Sequence, residues 1–268
     1  MSWLQAIILA IVEGITEFLP ISSTGHMAIA ASVLGIEKDA FTKLFIENIQ
    51  FGTILSVIIL YWRKFLNFKE LSFYIKLIVA FIPAAIIGVL FKEHIDSILG
   101  NPMFIASVMF VGGVILLFVD NWFKNPTIES EQKLSYGNAF IIGLFQILSV
   151  IFPGISRSAA TIVGGMQQKM TRKAAAEFSF FLAVPTLAGA FVLSLWDAYK
   201  HTPELLTARN FEILTLGNIV GFAIAIVAIR TFISFLQKHG FRAFGWYRIV
   251  VGLTLIILLL MGVSLSVV

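Results

Sequence analysis

Six stretches of the chain, near residues 47–62, 77–91, 103–119, 175–195, 213–236 and 249–266, approach the roughly 20 apolar residues with which a helix crosses a bilayer. Each predicts a transmembrane helix. Two further apolar regions, 3–36 and 136–168, are interrupted midway by FLPISSTGH at 18–26 and by FPGISRSAAT at 152–161. Backbone that leaves helical geometry at membrane depth must find partners in protein or water. Such segments are therefore expected as re-entrant hairpins, helix then break then helix, lining a cavity. The pattern predicts an all-α polytopic membrane protein, a single membrane domain over residues 1–268.

Composition agrees: of 268 residues 59% are hydrophobic and 13% charged, with a mean hydropathy of +0.95, well above what a soluble domain needs to fill a core. The formal charge of +4, from 19 Lys+Arg against 15 Asp+Glu, sits at the flanks of apolar spans. It reads as a topology signal, with the lipid bilayer as partner and no nucleic acid expected. Twelve basic residues, running from Arg63 to Arg248, flank one side of the predicted spans and five flank the other, with Arg157 and Arg230 left inside apolar segments. The richer side is expected in the cytoplasm, which sends the first hairpin in from the outer face and the second from the inner. The N-terminus lacks a basic region and runs directly into Glu13 and Glu17, so it reads as part of the mature fold. Zero cysteines exclude disulfides and thiolate metal sites, and histidines at 26, 94, 201 and 239 are too scattered for a His cluster. Any metal would be held by oxygen.

The two interrupted regions resemble each other. Glu13 aligns with Gln146, Pro20 with Pro153 and Ser23 with Ser156, all at an offset of 133, while Lys43 and Glu47 match Lys173 and Glu177 at 130. Each half, residues 1–120 and 134–268, then holds one hairpin and three crossings. An odd number of crossings turns the second copy upside down, giving an inverted-topology repeat whose hairpin tips are expected to meet at a shared site.

Glu13 and Glu17 are four residues apart, on one helix face, and carboxylates in an apolar segment are costly unless paired or solvated. Together they suit a hard divalent cation, or one of them suits proton transfer; a structural pair bonded to the break's backbone is the bland alternative. After Pro20 come Ser22, Ser23, Thr24, Gly25 and His26, three hydroxyls and an imidazole at a helix start, where free N–H groups favour an anion such as phosphate. In the second break Arg157 lies between Ser156 and Ser158, with Thr161 one turn on. Its planar fork matches phosphate oxygens, and an ion pair with Glu13 or Glu17 is the alternative. Arg230, Gln50, Asp120 and Glu177 read as snorkelling or helix-end groups.

VEGITEFLPISSTGH at 12–26 and PGISRSAAT at 153–161, with IQFGTILSV at 49–57 and AAEFSFFLAVPTLAGA at 175–190, resemble the undecaprenyl-pyrophosphate phosphatases of the bacitracin-resistance family over nearly the whole chain. The family's Glu-x-x-x-Glu motif falls on Glu13 and Glu17, its Ser-His motif on Ser22, Ser23, Thr24 and His26, and its PGxSRS motif on Ser156, Arg157 and Ser158. The resemblance implies removal of the terminal phosphate of undecaprenyl pyrophosphate, recycling the lipid carrier for peptidoglycan synthesis. It also implies a multi-pass enzyme of the bacterial inner membrane with a site opening to the periplasm, supported by a divalent cation such as Mg2+ or Ca2+. Ser23 is the expected nucleophile, with His26 or Glu17 moving protons and Glu13 helping to hold the cation; attack by activated water fits the same residues. Ser22, Thr24, Gly25, Ser156, Ser158 and Thr161 are expected to bind phosphate with Arg157. The repeat symmetry is compatible with a homodimer. From another class, a secondary transporter or lipid-phosphate flippase would use the same inverted repeat.

Overall fold

The computed structural model describes residues 1–263, apart from the side chains of 93, 94 and 96. Its twelve α-helices among the described residues are α1 (Trp3–Thr16), α2 (Ser23–Val33), α3 (Ala40–Leu60), α4 (Trp62–Phe65), α5 (Leu71–Leu90), α6 (Lys92–Leu99), α7 (Pro102–Trp122), α8 (Tyr136–Ile151), α9 (Arg157–Gln167), α10 (Arg172–His201), α11 (Ala208–His239) and α12 (Arg242–Leu260). The sole β pairing among these residues is an isolated bridge between Ile128 and Met170.

The six predicted spans correspond to α3, α5, α7, α10, α11 and α12, each long and apolar enough to cross a bilayer. They begin earlier than the apolar windows because polar and basic residues, among them Lys43, Lys76, Arg172, Lys173 and Arg209, lie in their first two turns. Side-chain caps fix several starts: Asp39 accepts from Phe41 N–H, Asn101 from Phe104, Thr171 from Ala174 and Thr207 from Asn210. Positions 264–266 of the sixth predicted span lie outside the described residues. Large apolar side chains face outward all round the bundle, including Leu4, Ile59, Val89, Val111, Ile219, Val250 and Leu260. No soluble fold leaves so much exposed, and lipid is the solvent that suits it.

The interrupted regions fold as helix, break, helix. At 1.5 Å per residue α1 and α8 are about 21 and 24 Å long and α2 and α9 about 16 Å, all short of the roughly 30 Å hydrocarbon. Within each pair the two helices pack on one another, α1 on α2 and α8 on α9. Each is then clasped by the longer helices: α1 lies against α11, α8 against α5 and α9 against α10, while α3 packs with α10 and α11, and α7 with α12. Small residues permit these close approaches. At Gly52 of α3 an added Cβ would stand 2.2 Å from the Asn218 carbonyl oxygen of α11, and at Gly113 of α7 one would stand 2.9 Å from the Gly245 carbonyl oxygen of α12.

One sequence expectation is corrected here. Arg248, counted among the twelve cytoplasmic-flank residues, is wholly buried in α12 between the two hairpins, which leaves eleven flanking residues against five. Counting from the apolar window at 249 placed it in a loop, whereas α12 begins at Arg242.

Replacing Gly52 by Val forces backbone apart at the α3–α11 crossing. We expect a loss of about 3 kcal/mol, read as a lower melting midpoint in detergent, while Gly88→Ala, with open space around its Cβ, leaves the midpoint unchanged.

Candidate active site

Both helix breaks are built alike. Pro20 and Pro153 follow the first helix of each hairpin, and the second helix starts at a serine N-cap with positive φ, Ser22 at 71° and Ser156 at 77°. Left-handed backbone at a non-glycine residue costs about 1–3 kcal/mol, and such strain collects at functional sites. Each cap hydroxyl accepts from the N–H three residues on: Ser22 from Gly25 (3.4 Å) and Ser156 from Ala159 (3.3 Å). The caps show that Ser22, not Ser23, is the counterpart of Ser156. Gly154, at φ 103°, is an extra residue between proline and cap in the second break, so the offset of 133 becomes 134 beyond it. Ser23 therefore corresponds to Arg157.

The breaks touch. Ser158 Oγ donates to the Leu19 carbonyl at 2.7 Å and Ser156 Oγ reaches the same oxygen at 3.3 Å, with the two hydroxyls 2.9 Å apart. Arg157, starting α9, crosses to the first hairpin and pairs its Nη2 with Glu17 Oε1 at 3.0 Å, while Nη1 donates to the Ser179 carbonyl of α10 at 3.1 Å. Both partners are nearly buried, a setting in which losing one of them strands the other charge. The other oxygen of Glu17 accepts from Ser23 Oγ at 2.7 Å. A continuous chain thus runs Ser23, Glu17, Arg157: a hydroxyl on a carboxylate that is oriented by a guanidinium, the geometry of an activated nucleophile.

Glu13, one turn before Glu17, is fully buried, and neither of its oxygens has a hydrogen-bond partner in the described structure. Arg157 Nε is likewise buried and unpaired. Uncommitted carboxylate oxygens beside a second carboxylate are hard donors that fit a divalent cation. Among the described residues no group of three or more His, Cys, Asp or Glu gathers around a common point.

His26 is in the same turn as Ser23 but its imidazole is engaged elsewhere. Nδ1 donates to the Ser22 carbonyl (2.8 Å), so in the neutral ring Nε2 accepts from the Tyr247 hydroxyl (2.7 Å), and the two rings stack 5.5 Å apart. Thr24 is half-buried beside Ser23. Gly25 is buried against α7, where a Cβ would meet Met109 Sδ at 2.2 Å. Thr161 is turned into the protein, its hydroxyl 2.6 Å from that of Ser179. Ser158 and Thr161 thus have their hydroxyls committed to protein partners, and Ser23, Arg157 and the two glutamates form the chemically versatile part. Sequence reading missed Tyr247 and Ser179, for which no local pattern gives a sign, and misplaced Arg248. Asp120 serves as the helix-end group expected of it, pairing with Arg172 and accepting from Phe241 N–H.

A family model described as bacitracin resistance protein BacA matches residues 6–254. The chain belongs to this family. Curated relatives agree over their full lengths: a protein of Flavobacterium psychrophilum is 55% identical over 96% of both chains, and those of Porphyromonas gingivalis and Bdellovibrio bacteriovorus are 49% and 48% identical over 100% of both. All three are named undecaprenyl-diphosphatase. The BacA match spans both breaks and every residue of the Ser23–Glu17–Arg157 chain.

Glu17→Gln leaves the Arg157 guanidinium buried without a counter-charge, and we expect it to cost about 3–5 kcal/mol. The double variant E17Q/R157M removes both charges and regains most of that loss, a non-additivity that thermal melting of the two single variants and the double variant measures.

Proposed function

We propose that this protein is an undecaprenyl-diphosphatase, a membrane hydrolase that converts undecaprenyl pyrophosphate to undecaprenyl phosphate and inorganic phosphate. The observation that carries the reading is the Ser23 hydroxyl on Glu17, with Arg157 behind it. The names of relatives about half identical over the full chain support the substrate. Recycling the carrier for peptidoglycan synthesis, and the bacitracin resistance in the family's description, follow from that reaction.

In the proposed mechanism the diphosphate enters between the breaks and takes over the Arg157 guanidinium from Glu17, since two phosphate oxygens match its fork. Glu17 is thereby freed to accept the Ser23 proton. Ser23 Oγ attacks the terminal phosphorus as the bond to the bridging oxygen breaks, and undecaprenyl phosphate departs with that oxygen. Water then attacks the phosphoserine, restoring the hydroxyl and releasing inorganic phosphate. Arg157 and the N–H groups at the start of α2 neutralise charge on the transferred phosphoryl group. A divalent cation, Mg2+ or Ca2+, would be held by Glu13 and Glu17 and supply further neutralisation of the diphosphate. His26, held by Ser22 and Tyr247, lies one helical turn from Ser23 as a second proton carrier.

We also read residues 1–120 and 134–268 as an inverted-topology repeat. Supporting it are the twin serine caps and the reciprocal packing of α1 on α11 and α8 on α5. The distribution of Lys and Arg orients the spans so that the first break enters from the outer face, and the family resemblance supports a site opening to the periplasmic face of the inner membrane. A transporter reading shares this architecture but gives no role to a serine hydroxyl aimed at a carboxylate.

Purified protein in detergent is expected to release phosphate from undecaprenyl diphosphate, with EDTA abolishing release. Arg157→Ala and Ser23→Ala should each lower kcat by at least about 100-fold. Acid quench of the wild type should trap phosphoserine at Ser23; its absence at full turnover would assign the attack to water instead. Because the chain has no cysteine, single replacements report topology directly. In intact cells a membrane-impermeant thiol reagent should label Glu204→Cys, and label Lys124→Cys only after permeabilisation.

A further inference from the structure

The Arg248 side chain is fully buried, and its five N–H groups all reach main-chain carbonyls. Nε donates to Met109 (3.3 Å), Nη1 to Pro20 (3.2 Å) and Ile155 (2.5 Å), and Nη2 to Val108 (3.5 Å) and Gly154 (2.8 Å). Three of these acceptors belong to the breaks: Pro20 to the first, Gly154 and Ile155 to the second. α7 leaves room for the side chain, since a Cβ at Gly112 would lie 2.3 Å from Nη2 and one at Gly113 2.9 Å from Arg248 Cβ. Among the described residues no carboxylate pairs with this guanidinium. A buried charge without a counter-ion is costly, and carbonyl dipoles offset only part of that cost.

We propose that Arg248 is a positioning residue of the phosphatase. It holds the two breaks in register, so that Ser23 and Glu17 from the first and Arg157 from the second face one phosphate. Its uncompensated charge also raises the positive potential where the diphosphate binds. With every donor committed to a carbonyl it does not touch the substrate. A lysine cannot replace it, because three donors from one nitrogen cannot reach five carbonyls spread over two breaks and α7. The inference rests on the phosphatase reading above.

The test measures kcat and KM for undecaprenyl diphosphate, and the inhibition constant of inorganic pyrophosphate, in the wild type, R248K, R248M and G112A. KM and the inhibition constant do not depend on how many molecules survive folding, and kcat is taken per folded molecule by size exclusion. R248K keeps the charge but breaks the carbonyl network: kcat should fall about 100-fold, as small misplacements of reacting groups do, with pyrophosphate inhibition nearly unchanged. R248M loses the charge as well, and its inhibition constant should rise by about 10-fold. G112A pushes the guanidinium off Gly154 without altering Arg248, and should lower kcat in the direction of R248K. Gly88→Ala, which meets nothing, should behave as wild type. Wild-type kcat, KM and inhibition in the folded fraction of R248M and G112A, even with lowered melting midpoints, would make Arg248 purely structural and overturn the proposal. Absence of release from the wild type would overturn the phosphatase reading, and this proposal with it.

Discussion

The architecture depends on how carbonyl groups exposed by two broken helices are satisfied where little water reaches them. A helix interior needs nothing from its neighbours, but a break at membrane depth leaves oxygens whose desolvation costs several kcal/mol each. Here the two breaks solve the problem jointly. The Leu19 carbonyl receives Ser156 and Ser158 from the other hairpin, and one arginine from α12 serves Pro20, Gly154 and Ile155 at once. The clasping helices and their glycine crossings bring these groups within bonding distance.

The same arrangement gathers the candidate catalytic residues at one place. Two helix starts converge with free N–H groups, and the strained caps at Ser22 and Ser156 orient the residues that follow, Ser23 and Arg157. These two follow matching serine caps, so one position of the motif carries a hydroxyl in the first break and a guanidinium in the second. Glu17 joins them, accepting from Ser23 with one oxygen and from Arg157 with the other. Neither oxygen of Glu13 has a hydrogen-bond partner among the described residues.

Much of this was legible in sequence, for identifiable reasons. Apolar length located six spans, since the bilayer imposes a fixed thickness on them. Pro, Gly and Ser in mid-span marked the breaks because those residues end helices by local chemistry. The motifs marked the residues gathered between the tips. What escaped depended on long-range contact. Arg248 carries no local sign that its partners are carbonyls 93 and 228 residues earlier, and Tyr247 meets His26 only because α12 lies beside α2. The one-residue shift at Gly154 escaped because the prolines match at 133 and Ser156 finds a serine at either offset, Ser23 at 133 and Ser22 at 134, and only backbone dihedrals separated the two. The predicted tasks of Ser158 and Thr161 likewise took their context from Leu19 and Ser179, which no spacing reveals.

The sequence separations within the site also set an order on biogenesis. Leu19 waits for its two further donors 137 and 139 residues downstream, and Pro20 for one 228 residues downstream. At about 5–20 residues per second of translation, the first break stays open for roughly 10–45 s after it leaves the ribosome. During that interval Leu19 keeps the local bond from Ile21 N–H (2.8 Å), and the Pro20 oxygen is left to the insertion machinery or interfacial water. A chain cut short before α12 therefore makes its other cross-break bonds but leaves the Pro20 oxygen without its arginine donor.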